Sequence, residues 1–219
     1  MTSIAMHGHV AAVVLAGGRG SRMGGVDKGL QTYRGQALAL HALQRLHAQT
    51  GGAPGKVAIN ANRNLDTYAQ WGYAVWPDGL ADYAGPLAGF LTALVHCHQQ
   101  TPPPEWLLTV PCDSPLFPLD LLQRMLEAVT QSGCDAAVAS APEPDDAGQV
   151  RTRTQPVFCL MRTRLLDSLQ TFTSNGGRKI DAWTGQHHAA LVPFDQPGDD
   201  PKAFFNANTL DQLRQLEQQ

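Results

Sequence analysis

The sequence predicts one α/β domain spanning residues 1–219, with a mostly parallel β-sheet between two layers of helices. Three observations predict this class. Short apolar runs alternate with segments of helical periodicity, a glycine-rich loop follows the first apolar run, and no internal repeat divides the chain. Alternation of strands and helices is typical of a parallel sheet, because right-handed crossovers place helices on its faces. We therefore expect a three-layer, Rossmann-like α/β/α fold.

The strands are predicted from apolar runs of five to eight residues. The first, residues 9–16, is apolar almost throughout, as is typical of a strand buried on both faces. The other predicted strands are Lys56–Ala61, Tyr73–Pro77, Trp106–Val110, Asp135–Ser140, Pro156–Met161 and Ala189–Pro193. Ligands of such sheets bind beyond the carboxyl ends of the strands. Functional residues are therefore expected in the loops after the first four strands.

Helices are predicted where leucines recur at helical spacing. Two such segments follow Pro86 and Pro118, and proline is tolerated in the first turn of a helix. A third precedes the end of the chain, where Thr209 is a suitable N-cap. The apolar stripes are Leu87, Leu91, Leu94 and Val95, then Leu119, Leu122, Leu126 and Val129, then Leu210, Leu213 and Leu216.

One stretch, residues 141–155, interrupts the alternation. It contains two prolines, a cluster of acidic residues and two arginines. This composition predicts an excursion from the sheet, serving either as a lid on the acceptor side of a site or as a solvated loop.

Composition excludes several functional classes. Lys plus Arg number 16 against 19 Asp plus Glu, so no overall basic field attracts nucleic acid. No 18 apolar residues run together and the first residues do not resemble a signal peptide, so no membrane association is expected. The four cysteines are far apart and form no C-x-x-C pair, which favours free thiols in the cytoplasm over a zinc or redox site.

The glycine-rich loop at residues 15–29 contains six glycines and three basic residues. Glycines let backbone N–H groups converge on a phosphate, and Arg22 and Lys28 could neutralise its oxygens. Met23 stands where a dinucleotide fingerprint needs glycine, and the lysine lacks the flanking residues of a phosphate-loop NTPase. A different triphosphate site is predicted; the alternative is a flexible turn with surface cations.

Polar residues follow the other predicted strands. Asp113 comes directly after the strand at 106–110, and one such carboxylate suffices to recruit Mg²⁺ together with substrate phosphates. Asn60 and Asp78 end two more strands, where they could pair with a base or a ribose. Gly85 precedes a helix start at the same rim, and could read a nucleotide through main-chain groups. For Asp113 the alternative is a turn-forming role; for Gly85 it is a plain helix start.

The motifs L-A-G-G at 15–18, R-M-G at 22–24 and D-K-G at 27–29 resemble those of nucleotidyltransferases, most closely the molybdenum cofactor guanylyltransferases. The similarity continues through residues 60–63, 78–89, 111–115 and 206–209. The resemblance implies a nucleotidyltransferase fold, catalytic roles for Arg22, Lys28 and Asp113, and Mg²⁺ on Asp113. It implies GTP binding by Leu15, Ala16, Gly17, Gly18, Lys28, Asn60, Asp78, Gly85 and Asp113.

Further basic and amide residues are candidates for the phosphates or the second substrate. The resemblance places Asn206 or Asn208 near the metal and the phosphates. The basic clusters around 151–155 and 176–179 are candidates for gripping an anionic acceptor, with solvated surface as their alternative. The residues concerned are Arg151, Arg153, Gln155, Arg178 and Lys179, and Arg19 of the glycine-rich loop is a further candidate for the phosphates or the acceptor.

The implied reaction is attack by the terminal phosphate of molybdopterin on the α-phosphorus of GTP, with pyrophosphate leaving. Two like charges about 4 Å apart cost about 4 kcal/mol at an effective dielectric near 20, or roughly a thousandfold in rate, so the site needs cations. A phosphate nucleophile is already ionised and needs no general base. The alternatives are a cytidylyltransferase of the same cofactor, a sugar-phosphate nucleotidyltransferase and a nucleotide-binding module without turnover. Transient protein partners that receive the product are also implied.

Overall fold

The computed structural model describes residues 6–17, 26–79, 85–144, 148–207 and 209–217. These residues form a seven-stranded sheet and a separate two-stranded hairpin. The strands are β1 (Val10–Leu15), β2 (Thr32–Tyr33), β3 (Gln36–Ala37), β4 (Lys56–Asn60), β5 (Ala74–Trp76), β6 (Trp106–Pro111), β7 (Ala136–Pro144), β8 (Val150–Arg162) and β9 (Ala190–Pro193).

Helices connect most of the strands. They are α1 (Leu38–His47), α2 (Leu65–Ala69), α3 (Pro86–His98), α4 (Leu121–Ser132), α5 (Leu166–Ser174), α6 (Ile180–Thr184) and α7 (Leu210–Glu217). Three short 3₁₀ helices span Lys28–Leu30, Thr163–Leu165 and Gly185–His187. Among the described residues, no helix combines the length and apolar character needed to cross a bilayer.

The large sheet has the strand order β5-β4-β1-β6-β8-β7-β9. β1 pairs in parallel with β4 and β6, β4 with β5, and β7 with β9. Only β8, among the strands of this described sheet, runs in the opposite direction, because it pairs antiparallel with both β6 and β7. This confirms the predicted mostly parallel sheet, and each predicted strand is present.

Side chains of β1 alternate between two hydrophobic cores. Val10, Ala12 and Val14 pack with residues of α1 and α4, whereas Ala11 and Val13 pack with residues of α3, α5 and α6. Strand side chains point alternately to opposite faces, so the continuous apolar run of β1 buries both faces of the sheet. The predicted three-layer architecture is thereby confirmed.

Residues 141–155, predicted as an excursion from the sheet, are mostly β-structured where the structure describes them. Residues 139–144 and 150–155 form the two arms of an antiparallel hairpin that continues β7 and β8 after a shift of register at Val138. The arm at 150–154 alternates threonine with arginine and is exposed, so it lacks the apolar run from which the other strands were predicted. Because β7 runs parallel to β6, the hairpin extends the sheet at the edge where β6 ends.

Two helix starts also test the sequence patterns. α4 begins at Leu121, two residues after Leu119, which remains 38% exposed. At α7, the Thr209 hydroxyl accepts a hydrogen bond from the N–H of Gln212, and the Gln212 side chain accepts one from the N–H of Thr209. This reciprocal capping box confirms Thr209 as the N-cap.

Leu122→Ala and Leu119→Ala separate the observed helix from the predicted stripe. Leu122 is fully buried in the core beneath α4, so its truncation should lower the free energy of unfolding by about 2–5 kcal/mol. Leu119→Ala should cost less than about 1 kcal/mol, because this side chain lies outside the helix and is partly exposed. Urea unfolding of both variants measures the difference, and equal costs would contradict the described start of α4.

Candidate functional site

Several of the predicted site residues lie where four neighbouring strands end. Register places Leu15 of β1 opposite Asn60 of β4 and opposite Pro111 of β6. The pairing continues past the strand ends, because the N–H of Ala16 donates to the carbonyl of Asn60 at 2.8 Å. The N–H of Cys112 likewise donates to the carbonyl of Leu15 at 3.1 Å. The loops after β1, β4 and β6 therefore begin at one edge.

Lys28 and Asp113 form an ion pair at this edge. The Nζ of Lys28 lies 2.9 Å from Oδ2 of Asp113, and the side chains are 21% and 16% exposed. Lys28 starts a 3₁₀ helix near the end of the glycine-rich loop, whereas Asp113 lies two residues beyond β6. Partly exposed ion pairs contribute little to stability, so the pair matters chiefly for bringing a cation and a carboxylate together.

A second polar cluster lies at the ends of β4 and β5. Oδ1 of Asp78 accepts a hydrogen bond from Nδ2 of Asn60 at 2.8 Å, and Oδ2 accepts one from Nδ2 of Asn62 at 2.7 Å. The Asn62 oxygen in turn accepts from the N–H of Asp78 at 2.7 Å. Two amides thus fix the orientation of one carboxylate. Asn62 was not predicted as a site residue, although the N-A-N spacing places it two residues beyond Asn60, in the loop after β4.

Two glycines allow other elements to approach Asn60 closely. A methyl group at Gly17 would lie 3.0 Å from both Oδ1 of Asn60 and Nδ2 of Asn62. At Gly89, in the first turns of α3, it would lie 2.6 Å from Oδ1 of Asn60 and 2.8 Å from Cδ2 of Leu15. Glycine is unfavourable inside a helix, and Gly89 is explained by this packing. That unfavourable placement was the sequence signal that could have identified Gly89.

The loop after β6 is joined to the segment before α7. The N–H of Ala207 donates to the carbonyl of Asp113 at 2.9 Å, and the hydroxyl of buried Ser114 donates to Oδ1 of Asn206. These contacts place Asn206 beside the loop that carries Asp113. Ser114 was not predicted; its signal was its position next to the strand-end aspartate.

Cys112 is a neutral thiol rather than a nucleophile. Burial raises the pKa of the Cys112 thiol well above its usual value, and the neighbouring Asp113 carboxylate raises it further. Cys112 is therefore interpreted as a packing residue. Among the described residues, no three His, Cys, Asp or Glu side chains converge on a possible metal position. A metal at Asp113 would therefore need other oxygen ligands.

Three of the candidates for the acceptor side belong to elements other than the strand-end loops. Gln155 is buried in the hairpin of β7 and β8, where its amide donates to Glu143. Arg178 donates to the carbonyls of Thr173 and Gly177, near the end of α5. Lys179 is exposed and directly precedes α6. Gln155 and Arg178 therefore hold local structure by these contacts.

Gly85 precedes α3, and its φ of 117° lies in a region that favours glycine. The other predicted positions, Gly18, Arg19, Arg22 and Asn208, lie outside the described residues.

Comparisons with known proteins agree with these motifs. A family model described as "MobA-like NTP transferase domain" matches residues 12–191. The chain is 64% identical over 209 residues to a molybdenum cofactor guanylyltransferase of Acidovorax sp. (strain JS42), and the match covers 95% of each chain.

Solved structures agree in fold. Molybdopterin-guanine dinucleotide biosynthesis protein A from Archaeoglobus fulgidus superposes with a TM-score of 0.69 at 20% identity, covering 95% of this chain and 97% of that one. A 4-diphosphocytidyl-2C-methyl-D-erythritol synthase from Anaerococcus prevotii gives a TM-score of 0.68 at 9% identity, covering 98% and 97%. At these identities the likeness concerns the fold alone.

Gly89→Ala should weaken nucleotide binding although alanine is the better helix former. Its methyl group would displace the Asn60 amide that holds Asp78, so we expect the affinity for GTP to fall by about tenfold, or about 1.4 kcal/mol. Isothermal titration calorimetry measures this. Gly185→Ala is the control, because nothing lies within 4 Å of a methyl group there. Wild-type affinity in Gly89→Ala would contradict the proposed role of this packing.

Proposed function

The chain belongs to the family of MobA-like NTP transferases, and from this premise we propose that it transfers GMP from GTP to the terminal phosphate of molybdopterin. The product would be the guanine dinucleotide form of the molybdenum cofactor, with pyrophosphate as the second product. The observation that carries the proposal is the Lys28–Asp113 ion pair at the sheet edge where Asn60 and Asp78 also lie.

The nucleotide side of the proposal rests on the cluster around Asp78. Its carboxylate is held by the amides of Asn60 and Asn62, and carboxylate oxygens can accept more than one hydrogen bond each. Such acceptors suit the ribose hydroxyls and the N–H groups of a guanine edge. Because Asn60 is only 2% exposed and bonds the carbonyl of Trp76 as well, the acceptors are oriented before any nucleotide binds.

The transfer step needs positioning and positive charge rather than a base. A terminal phosphate oxygen of the acceptor forms a bond to the α-phosphorus, and the bond from that phosphorus to the oxygen bridging to the β-phosphate breaks. Pyrophosphate leaves with the electron pair. Lys28 supplies a cation beside Asp113, where it can neutralise charge on phosphate oxygens. The neutral thiol of Cys112 takes no part.

The residues around Asp113 fit Mg²⁺. Magnesium in nucleotide sites is held by one or two carboxylates together with phosphate oxygens and water. Asp113 offers such a carboxylate, and the Asn206 side chain lies beside the same loop through its bond with Ser114. Bound there, Mg²⁺ would neutralise charge on the phosphates of GTP. Lys28 would add a second positive charge next to the same carboxylate.

The hairpin formed by 139–144 and 150–155 is proposed as the acceptor side. It extends the sheet at the edge where Asp113 lies, and its exposed residues include Arg151 and Arg153. Residues two apart on a strand face the same way, so both guanidinium groups can serve one anionic molecule. The Thr154 hydroxyl bonds Asp181 of α6 at 3.3 Å, which ties the hairpin to the layer of helices.

The cysteines also support a reducing compartment. All four cysteines are free thiols, three of them buried, as expected of an enzyme of the cytoplasm. We propose that protein partners receive the product there, because a reactive anionic pterin is best passed on without release into water.

The choice of nucleotide tests the proposed function directly. The protein is incubated with Mg²⁺, molybdopterin and one NTP at a time, and pyrophosphate release is measured. We expect release with GTP alone. Release only with CTP would make the protein a cytidylyltransferase. If none of the NTPs gave pyrophosphate, the protein would be a nucleotide-binding module without turnover. Either result contradicts the proposal.

Asp113→Ala should abolish the transfer and leave the fold intact. The substitution removes the proposed metal ligand, whereas the Asp113 carbonyl that binds Ala207 is retained. We expect pyrophosphate release to fall by at least about a hundredfold, at an unchanged melting temperature. Asp211→Ala is the matched control, since this carboxylate is 84% exposed on α7. Normal turnover by Asp113→Ala would refute the assignment of this residue.

A further inference from the structure

A buried network connects α2 to the start of the 3₁₀ helix that carries Lys28. Its centre is Asp27, which is 8% exposed and is the N-cap of that helix. Oδ1 of Asp27 accepts hydrogen bonds from the hydroxyl of Tyr68 at 2.7 Å and from the N–H of Gly29 at 3.1 Å. Oδ2 accepts one from Nδ2 of Asn64 at 3.0 Å. Both oxygens of the carboxylate are therefore fixed from two parts of the chain.

The donor from α2 is permanent. Tyr68 is fully buried, and burial together with its bond to Asp27 raises the pKa of its hydroxyl. The hydroxyl therefore remains protonated and always donates. Its ring packs edge-on against Trp71, with ring centroids 5.1 Å apart, so the hydroxyl has a fixed position.

Gly29 explains how Tyr68 reaches Asp27. A methyl group at Gly29 would collide with the Tyr68 hydroxyl and approach Cβ of Ala16 to 3.1 Å. The three residues of the D-K-G motif therefore have distinct roles. Asp27 is held by the network, Lys28 supplies the cation, and Gly29 leaves room for the Tyr68 hydroxyl to reach Asp27. Tyr68 lies 41 residues from Asp27 and belongs to no motif, so the sequence alone gave no reason to single it out.

We infer that Tyr68 is a positioning residue for the transfer reaction, holding Asp27 so that the Lys28 ammonium is fixed against Asp113. Lysine has a long flexible side chain, and a cation is most effective in catalysis when its position is set before the reaction. The backbone of Lys28 is fixed on one side by the network and its Nζ by the bond to Asp113. Loss of the Tyr68 hydroxyl would loosen the first of these anchors.

The kinetic test rests on the proposed function. Tyr68→Phe removes only the hydroxyl, and we expect kcat of GTP-dependent pyrophosphate release to fall by about tenfold while KM for GTP changes by less than about twofold. Asn64→Gly removes the other side-chain donor at an exposed position whose φ of 50° glycine adopts readily, and should lower kcat in the same way. Tyr33→Phe is the matched control, because its buried hydroxyl has no hydrogen-bond partner in the part of the chain that the structure describes.

A double-mutant cycle separates positioning from a merely structural role. If Tyr68 acts through Lys28, Tyr68→Phe should have no further effect on kcat in a Lys28→Ala background. Independent, multiplying losses in the double variant, or wild-type kcat in Tyr68→Phe, would overturn the inference.

A chemical test needs no turnover and therefore distinguishes failure of this inference from failure of the proposed function. Lysines are acetylated with a water-soluble acylating reagent, and the rate at Lys28 is followed by mass spectrometry. We expect the Lys28 rate to rise several-fold in Tyr68→Phe, because the amine leaves Asp113 more often. Exposed Lys56 serves as the internal reference and should not change. An unchanged Lys28 rate would overturn the inference even if the wild-type protein transfers GMP.

Discussion

The whole site depends on the alignment of parallel strands at one edge of the sheet. Leu15 stands opposite both Asn60 and Pro111, so the chain leaves β1, β4 and β6 at the same level. In an antiparallel sheet, neighbouring strands would end at opposite edges, and these loops would be separated by the length of a strand. Lys28 and Asp113, which are 85 residues apart in sequence, meet because this alignment brings their loops together.

The second constraint is that neighbouring elements must approach closely around the buried polar side chains. Three glycines allow this approach. Gly17 and Gly89 leave room around the Asn60 amide, and Gly29 leaves room for the Tyr68 hydroxyl. Each glycine lies where a polar group must stay hydrogen-bonded in a buried position, and an unsatisfied buried polar group would be costly. The three glycines thus lie in different parts of the chain, and each leaves room for a buried, hydrogen-bonded side chain.

The fold could be predicted because burial on both faces gives β1, β4 and β6 continuous apolar runs. Elements that are not buried on both faces lack such a run, and the sequence predicted them less well. The hairpin arm at 150–154 is exposed, so its alternating Thr and Arg residues carried no apolar signal. Leu119 fits a helical stripe by spacing, yet the chain turns at Pro118 and the helix begins later.

The sequence pointed to candidate residues at strand ends, and the structure brings Asn60, Asp78 and Asp113 to one edge of the sheet. Asn62 and Ser114 stand near such residues, but their hydrogen bonds to Asp78 and Asn206, like that of Tyr68 to Asp27, join segments that are distant in sequence and that spacing does not connect. Gln155 shows the converse: a polar residue in a suggestive context is buried against Glu143 and builds the hairpin. Local patterns therefore locate the site, and long-range hydrogen bonds decide which side chains face it.

The reversed strand β8 divides the sheet into two groups of strands with different proposed roles. The loops proposed to bind the nucleotide follow the parallel strands β1, β4, β5 and β6, whereas the hairpin proposed for the acceptor belongs to β7 and β8, on the far side of β6. Asp113, at the end of β6, stands on the border between the two halves. An altered hairpin could therefore present a different acceptor while the groups that hold the triphosphate keep their register. One scaffold of this kind can acquire new acceptors by changing a single β-arm.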